Sequence, residues 1–189
     1  GTSGNYLHLY GLIANTTYHI KVFEYNGTGS TTSYLVSNDS NGNPPAESSL
    51  STLSTPTVQA SNITFTNVLG TKMTVNFTKG DGAGRILVAS ENRPVDVEPV
   101  DLVRYNAHPG GMSDATYQIG IGNYVLYNST GTSANITNLK PNTTYYFALF
   151  EYNGTVDSRL YLTSLSPVST PGVTANQLTP AYPTINTTT

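Results

Sequence analysis

The chain has 189 residues, of which 10% are charged, with a formal net charge of −3 and no cysteine. Charge this sparse, against about 25% in ordinary domains, leaves no basic cluster to neutralise a phosphate backbone, which excludes nucleic acid as a partner. The missing thiols exclude disulfides, thiolate metal sites and cysteine nucleophiles together, and no apolar run reaches the roughly 18 residues of a membrane helix.

In chain order, the first segment carries Leu12, Ala14, Thr16 and Tyr18, then Phe23-Glu-Tyr-Asn-Gly-Thr28. The same six residues return at Phe150 to Thr155, an offset of 127 residues. At that offset, 14 of the 27 positions from Gly11 to Ser37 are identical, and Pro56-Thr57-Val58 falls on Pro183-Thr184-Ile185. A fixed internal period decides the architecture before any local pattern does. The period predicts residues 1–53 as the C-terminal part of a first repeat, 54–182 as a complete repeat and 183–189 as the start of a third. On this reading the sequence opens and closes inside a unit, and the apolar face of 1–53 needs strands from an upstream segment or another molecule.

In the complete unit, short runs rich in Val, Ile, Tyr, Phe and Thr between Gly, Asn and Pro clusters predict strands throughout. They fall near 58–67, 72–77, 85–90, 124–127, 133–137, 144–152 and 161–165. The fold class is therefore all-β, an antiparallel sandwich. The stretch from Glu91 to Asn123, with Pro94, Pro99, Pro109 and Gly110-Gly111, is a long excursion between two core strands, and loops of this length are uncommon unless functional or internally packed. Segments 44–55 and 171–182 are Pro-containing and nearly uncharged, and read as short semi-rigid linkers.

Leu139, Pro141, Thr143 and Tyr145, followed by the alternating run YFALFEYNG, resemble the tyrosine corner of fibronectin type III domains, in which a Tyr hydroxyl bonds back to nearby backbone. Tyr18 repeats the motif in the first unit. The runs GAGRILVASENRPV at 82–95, IGIGNYVLYN at 119–128 and NTTYYFALFEYNG at 142–154 resemble the enlarged fibronectin type III-like tandem repeats of secreted and cell-surface proteins of Bacteroidota, including type IX secretion cargo and gliding adhesins. The resemblance implies an extracellular location, neighbouring repeats of the same long chain as partners, and contacts with surface glycans or other surface proteins. The unit is longer than an ordinary module of about 100 residues, so ligand positions of other modules do not carry over.

Catalytic chemistry is not visible. His8, His19 and His108 have no partner motif for a triad or a zinc site. Asp39-Ser-Asn-Gly-Asn43 has the alternating oxygens of a calcium loop but no terminal bidentate Glu, and reads as an Asn/Asp/Gly turn in preference to a cation site. Ten Asn-X-Ser/Thr triplets follow largely from repeated NGT and NTT turns, and no cofactor is implied. Fourteen tyrosines and no tryptophan are explained by core and sheet cover or by a sugar-stacking platform. Such a platform is expected on the excursion, around Tyr105, His108, Met112 and Tyr117. Glu151 shares its period-two face with Tyr145, Phe147 and Leu149, which points a carboxylate inward and requires a partner. Arg85 is the first candidate and Arg93 the second.

The function these readings imply is a non-catalytic repeat of a large surface adhesin or filament, acting as a stalk with weak multivalent contacts. The alternatives are a spacer in a secreted multidomain hydrolase and a carbohydrate-binding module.

Overall fold

Runs rich in β-branched and aromatic residues form strands at or near the predicted positions in the computed structural model, which describes residues 6–163 and 173–181; of the strand expected at 161–165, only its start is a strand, and 164–165 lie outside the described residues. Among the described residues the only other regular elements are three short 3-10 turns. The chain divides into two compact units, Gly1–Ser54 and Thr55–Thr189. The third-repeat segment expected at 183–189 lies outside the described residues.

The first unit holds β1 (Thr17–Val22), β2 (Tyr25–Asn26), β3 (Ser33–Tyr34) and β4 (Ala46–Ser51). β1 and β4 pair antiparallel from Thr17 opposite Ser51 to Val22 opposite Ala46, and β2 pairs with β3.

The second unit holds β5 (Ser61–Leu69), β6 (Lys72–Thr78), β7 (Gly84–Glu91), β8 (Asn123–Ser129), β9 (Ser133–Ile136), β10 (Thr144–Asn153), β11 (Leu160–Tyr161) and β12 (Val173–Leu178). One sheet has the order β5-β6-β9. The other runs β8-β7-β10, with β11 and β12 on the far side of β10. All pairings are antiparallel, and the two sheets form an antiparallel β-sandwich.

Two expectations are corrected here. Residues 46–51 and 173–178, read as parts of linkers, are the strands β4 and β12. Their sequences, AESSLS and VTANQL, lack a strong apolar alternation because these strands pair along one side only, and the neighbouring strand, not their own hydrophobicity, orders them. β5 begins at Ser61 instead of Val58, because residues 57 and 58 are tied elsewhere. The Asp81 carboxylate accepts the backbone N–H groups of Thr57 and Val58, each at 2.9 Å.

The core has two parts. Between the sheets, Met73, Val75, Leu87, Ala89, Leu126, Ile136, Tyr145, Phe147 and Leu149 are buried together, each large side chain contributing about 1.5–3 kcal/mol. Phe65 and Phe147 pack with ring centroids 5.4 Å apart. The outer face of the larger sheet is also covered: Ile86, Val88, Val125, Ala148, Phe150 and Tyr152 lie beneath Val95, Val97, Tyr105, Ala107 and Ile119 of the excursion. β7 is consequently buried on both faces along nearly its whole length, and its sequence RILVAS is a continuous run instead of an alternation, as doubly covered strands are.

Burial alone would raise the Asp81 pKa; hydrogen bonds from the Thr57 side chain and from the Val58 and Thr57 backbone outweigh it and hold the carboxyl below its usual value. A carboxyl depressed in the folded state stabilises above the unfolded-state value, and loses that contribution as pH falls through the folded-state value. We therefore expect Asp81→Asn to lower stability at neutral pH by about 1 kcal/mol, and to flatten the loss of stability on acidification below about pH 4. Urea denaturation at neutral and acid pH measures both.

Candidate functional site

The excursion between β7 and β8 departs from the sheet through a set of polar anchors. Arg93 pairs with Asp96 at 2.5 Å and donates to the Ile121 carbonyl. Arg93 is therefore not a partner of Glu151, because it lies past the opposite end of β7. The Asn123 side-chain amide donates to Asp96 at 2.8 Å, and this bond, followed by the Arg93 pair, holds the Asp96 carboxyl below its ordinary value. Farther along, the Tyr161 hydroxyl donates to the Val103 carbonyl at 2.9 Å, and the Tyr161 N–H donates to Asp101 at 2.7 Å. Leu102 N–H donates to the Arg159 carbonyl at 2.8 Å. The long loop is thus internally packed and fastened at both sheet edges.

The four residues expected to form a binding platform do not lie together on one surface. Met112 is buried in the inter-sheet core, at 8% exposure; its unbranched apolar chain fills a core gap, so it is no platform residue. The His108 ring packs on Tyr117 with centroids 5.3 Å apart, and its Nδ1 accepts the Gly110 N–H at 3.1 Å. Tyr105 stacks edge-on against Tyr161 at 5.9 Å, and its hydroxyl accepts the Val100 N–H at 3.0 Å.

Tyr105 and Tyr117 do line a common open groove of about 440 Å³, together with Arg104, Thr116, Asn128 and Arg159. The Arg159 guanidinium sits over the Tyr152 ring, 4.2 Å from its centroid, a cation–π contact. Its Nε and Nη1 are buried without a hydrogen-bond partner. Asn128 fixes the groove floor, donating to the Tyr105 carbonyl at 2.6 Å and accepting from the Tyr152 hydroxyl at 2.8 Å. Burial raises the Tyr161 pKa, against the lowering effect of Arg159. No acidic side chain lines the groove, so its chemistry is that of neutral hydrogen bonding and two cations. Arg159 escaped the sequence reading because nothing local pairs with it; the available signal was that its repeat counterpart is Thr32.

At the same end of the larger sheet, on its inner face, stands an ion pair. Arg85 and Glu151 are directly opposed across β7 and β10, both essentially inaccessible. Arg85 Nε donates to Glu151 Oε1 at 2.7 Å, and Nη2 to Oε2 at 3.3 Å. The Arg85 Nη1 also donates to the Thr130 and Gly131 carbonyls at 2.6 and 2.8 Å. The Gly80 N–H donates to Glu151 Oε1 at 2.9 Å, while the Gln59 side chain accepts the Glu151 N–H and donates to the Leu162 carbonyl. Gly82 allows the approach, since a Cβ there would stand 2.6 Å from Glu151 Oε2.

The corner tyrosines have matching bonds. Tyr145 accepts the Lys140 N–H at 2.8 Å, and Tyr18 accepts the Ile13 N–H at 2.8 Å. Burial, ahead of the other contributions, pushes the Tyr145 pKa up to about 12. Leu139 is buried beside it, and the Pro141 carbonyl accepts the Thr143 hydroxyl. Asp39 accepts the Asn41 and Asn43 N–H groups at 2.8 and 2.9 Å, which makes that segment a turn. Among the described residues no group of three metal-ligating side chains occurs.

No family model matches the chain, and no curated protein matches it in sequence. Among solved structures it is similar to a computationally redesigned β-sandwich protein, at 19% identity over 70% of this chain and 95% of that one, with a TM-score of 0.41. It is also similar to domains d3–d4 of the rat CD45 extracellular region, at 14% identity over 86% and 70% of the two chains, with a TM-score of 0.37.

Removing one member of a buried ion pair strands the other in a dry site. Glu151→Gln and Arg85→Met are each expected to cost about 3–5 kcal/mol, whereas the double change Arg85→Met with Glu151→Leu should cost less than either alone. Urea denaturation of the three variants gives the comparison, and a double variant weaker than both singles would refute the pairing.

Proposed function

We propose that this chain is a non-catalytic repeat segment of a large extracellular or cell-surface protein, of the kind found among secreted adhesins of Bacteroidota, in which the units act as a stalk and make weak multivalent contacts. The observation that supports this reading is the identity of local structure at the 127-residue offset. Thr17 opposite Ser51 becomes Thr144 opposite Leu178, and Tyr25 opposite Tyr34 becomes Tyr152 opposite Tyr161. Even the left-handed residues correspond: Asn15 and Asn142 both have φ of 53°, and Gly27 and Gly154 have φ of 90° and 91°. Such exact reuse serves extension of a chain, because many weak modules gain avidity without any single tight site.

A spacer role in a secreted hydrolase uses the same unit and differs only in what lies elsewhere on the polypeptide. The carbohydrate-binding reading is favoured by one observation, the groove that sets Tyr105 and Tyr117 beside two guanidinium groups. In either case the partners are neighbouring repeats, surface glycans or surface proteins. No described helix is long and apolar enough to cross a membrane.

Small-angle scattering of a three-unit polypeptide tests the stalk. Strands of seven to ten residues with their loops should add about 35 to 45 Å per unit to the maximum dimension. A particle whose maximum dimension does not grow with unit number would overturn it. Glycan binding abolished by Tyr105→Ala or Tyr117→Ala would instead establish the binding-module reading.

A further inference from the structure

The two units contain matching strands in opposite states of burial. Tyr145, Phe147, Leu149, Phe150, Tyr152, Tyr161 and Leu162 are all buried. Their counterparts 127 residues earlier are Tyr18, Ile20, Val22, Phe23, Tyr25, Tyr34 and Leu35, none of which is buried; Val22 is 59% exposed and Tyr25 60%. One face of β1 carries Tyr18, Ile20 and Val22 and is apolar; the other carries Thr17, His19 and Lys21, with Phe23 and Tyr25 beyond the strand, and neither face is buried. In the second unit those faces are covered by the opposite sheet and by the excursion.

The carboxylate follows the same pattern. Glu24 is the counterpart of Glu151 and lies exposed, with no ion pair among the described residues. In the second unit the equivalent carboxylate faces Arg85 across the β7 edge of β10. Among the described residues the same edge of β1 carries no strand, since β1 pairs there with β4 alone. A third sign lies at residues 6–9. Their counterpart, Ser133–Ile136, is β9, which is ordered by pairing with β6. Leu7 and Leu9 match the buried Ala134 and Ile136 in position, yet 6–9 form no strand and are exposed.

We propose that the open edge of β1 receives an antiparallel β7-type strand whose arginine pairs with Glu24, supplied by the front half of a further repeat in the same polypeptide, and that residues 6–9 become a strand on the β6-type member of that half. This rests on the repeat reading above and specifies the contact between the halves. Charge complementarity selects the occupant, since a strand without a cation would bury Glu24 unpaired, at a cost of several kcal/mol. The β7 strand of the second unit is not available for the purpose, because both its edges are taken by β8 and β10.

The experiment places a copy of residues 55–132 directly before Tyr6 of the full chain and follows amide hydrogen exchange. Residues 17–22 should exchange at least about 100-fold more slowly than in the unextended chain, approaching the rates of 144–149. Glu24→Gln in the extended chain, or Arg→Met at the copied Arg85 position, should each return about tenfold of that protection. In parallel, a labelled peptide of residues 82–92 should bind the unextended chain, and its Arg85→Met version at least about tenfold more weakly. Unchanged exchange at 17–22 together with no peptide binding overturns the proposal. Concentration-dependent dimerisation of the unextended chain with protection of 17–22 also overturns it, by making a second copy the occupant. Protection that survives Glu24→Gln removes the arginine from it. None of these outcomes depends on how far a multi-unit array extends, so failure here is distinct from failure of the stalk.

Discussion

The second unit is organised around a charge that cannot remain alone. Glu151 lies where the period-two pattern of β10 puts apolar residues, and a lone ionised carboxylate in such a place is not tolerated. Arg85 answers it from the facing position on β7, but a guanidinium has five N–H groups, and the remaining ones need carbonyls. Thr130 and Gly131 supply these from the β8–β9 turn, while Gly80 donates to the carboxylate from the β6–β7 turn and Gln59, in the lead-in to β5, accepts the Glu151 backbone N–H. The network is complete only when both sheets and two turns are in place. Replacing such a pair by apolar residues often costs little, so what the pair contributes is a unique register more than raw stability. A one-residue slip of β10 against β7 would bring Glu151 out of its place opposite Arg85 and turn its face away.

Two-sided burial of the larger sheet follows from the length of the excursion. An antiparallel sheet usually keeps one face for solvent, but here the run Ile86, Val88, Phe150, Tyr152 is apolar on that face as well. The excursion supplies scattered cover from Val95, Val97, Tyr105, Ala107 and Ile119. In doing so it leaves a polar groove at its margin, where Arg159 sits over the Tyr152 ring beside Tyr105. Groove and cover thus share one loop: the same Tyr105 and Ala107 cover the sheet and line the groove, which Asn128 of β8 and Arg159 complete.

Much of this was legible in the residues. The alternating strands β6, β9 and β10 and the continuous apolar run of β7 stand within about two residues of where the pattern places them. The inward carboxylate could be named because Glu151 interrupts an otherwise apolar face. What could not be read has a common cause: it depends on partners far away in the sequence. β4 and β12 are polar and Pro-flanked, and become strands only through the backbone of β1 and β10. The cover residues of the excursion have no period at all, because an irregular loop meets the sheet at irregular intervals. Met112 looked like a surface residue because it follows Pro109-Gly110-Gly111, yet the turn carries it into the core. Arg159 lies next to Tyr152 only through the β10–β11 pairing.

The spacing of these contacts also bears on how the chain reaches its fold. Gln59 meets Leu162 across 103 residues and Glu151 across 92, so the polar network forms only after very long loops have closed. Non-local topologies of this kind fold slowly, with unpaired edges open in the meantime. Because Phe-Glu-Tyr-Asn-Gly-Thr stands in two places, a nascent β7 meets two nearly equivalent partners along the polypeptide. Synthesis order then decides between them: on a growing chain the earlier hairpin emerges first, and pairing with a wrong-phase neighbour is the characteristic error of such arrays. The divergence of the two hairpins outside that hexapeptide, Ile20 and Val22 against Phe147 and Leu149, is where selection against such exchange can act.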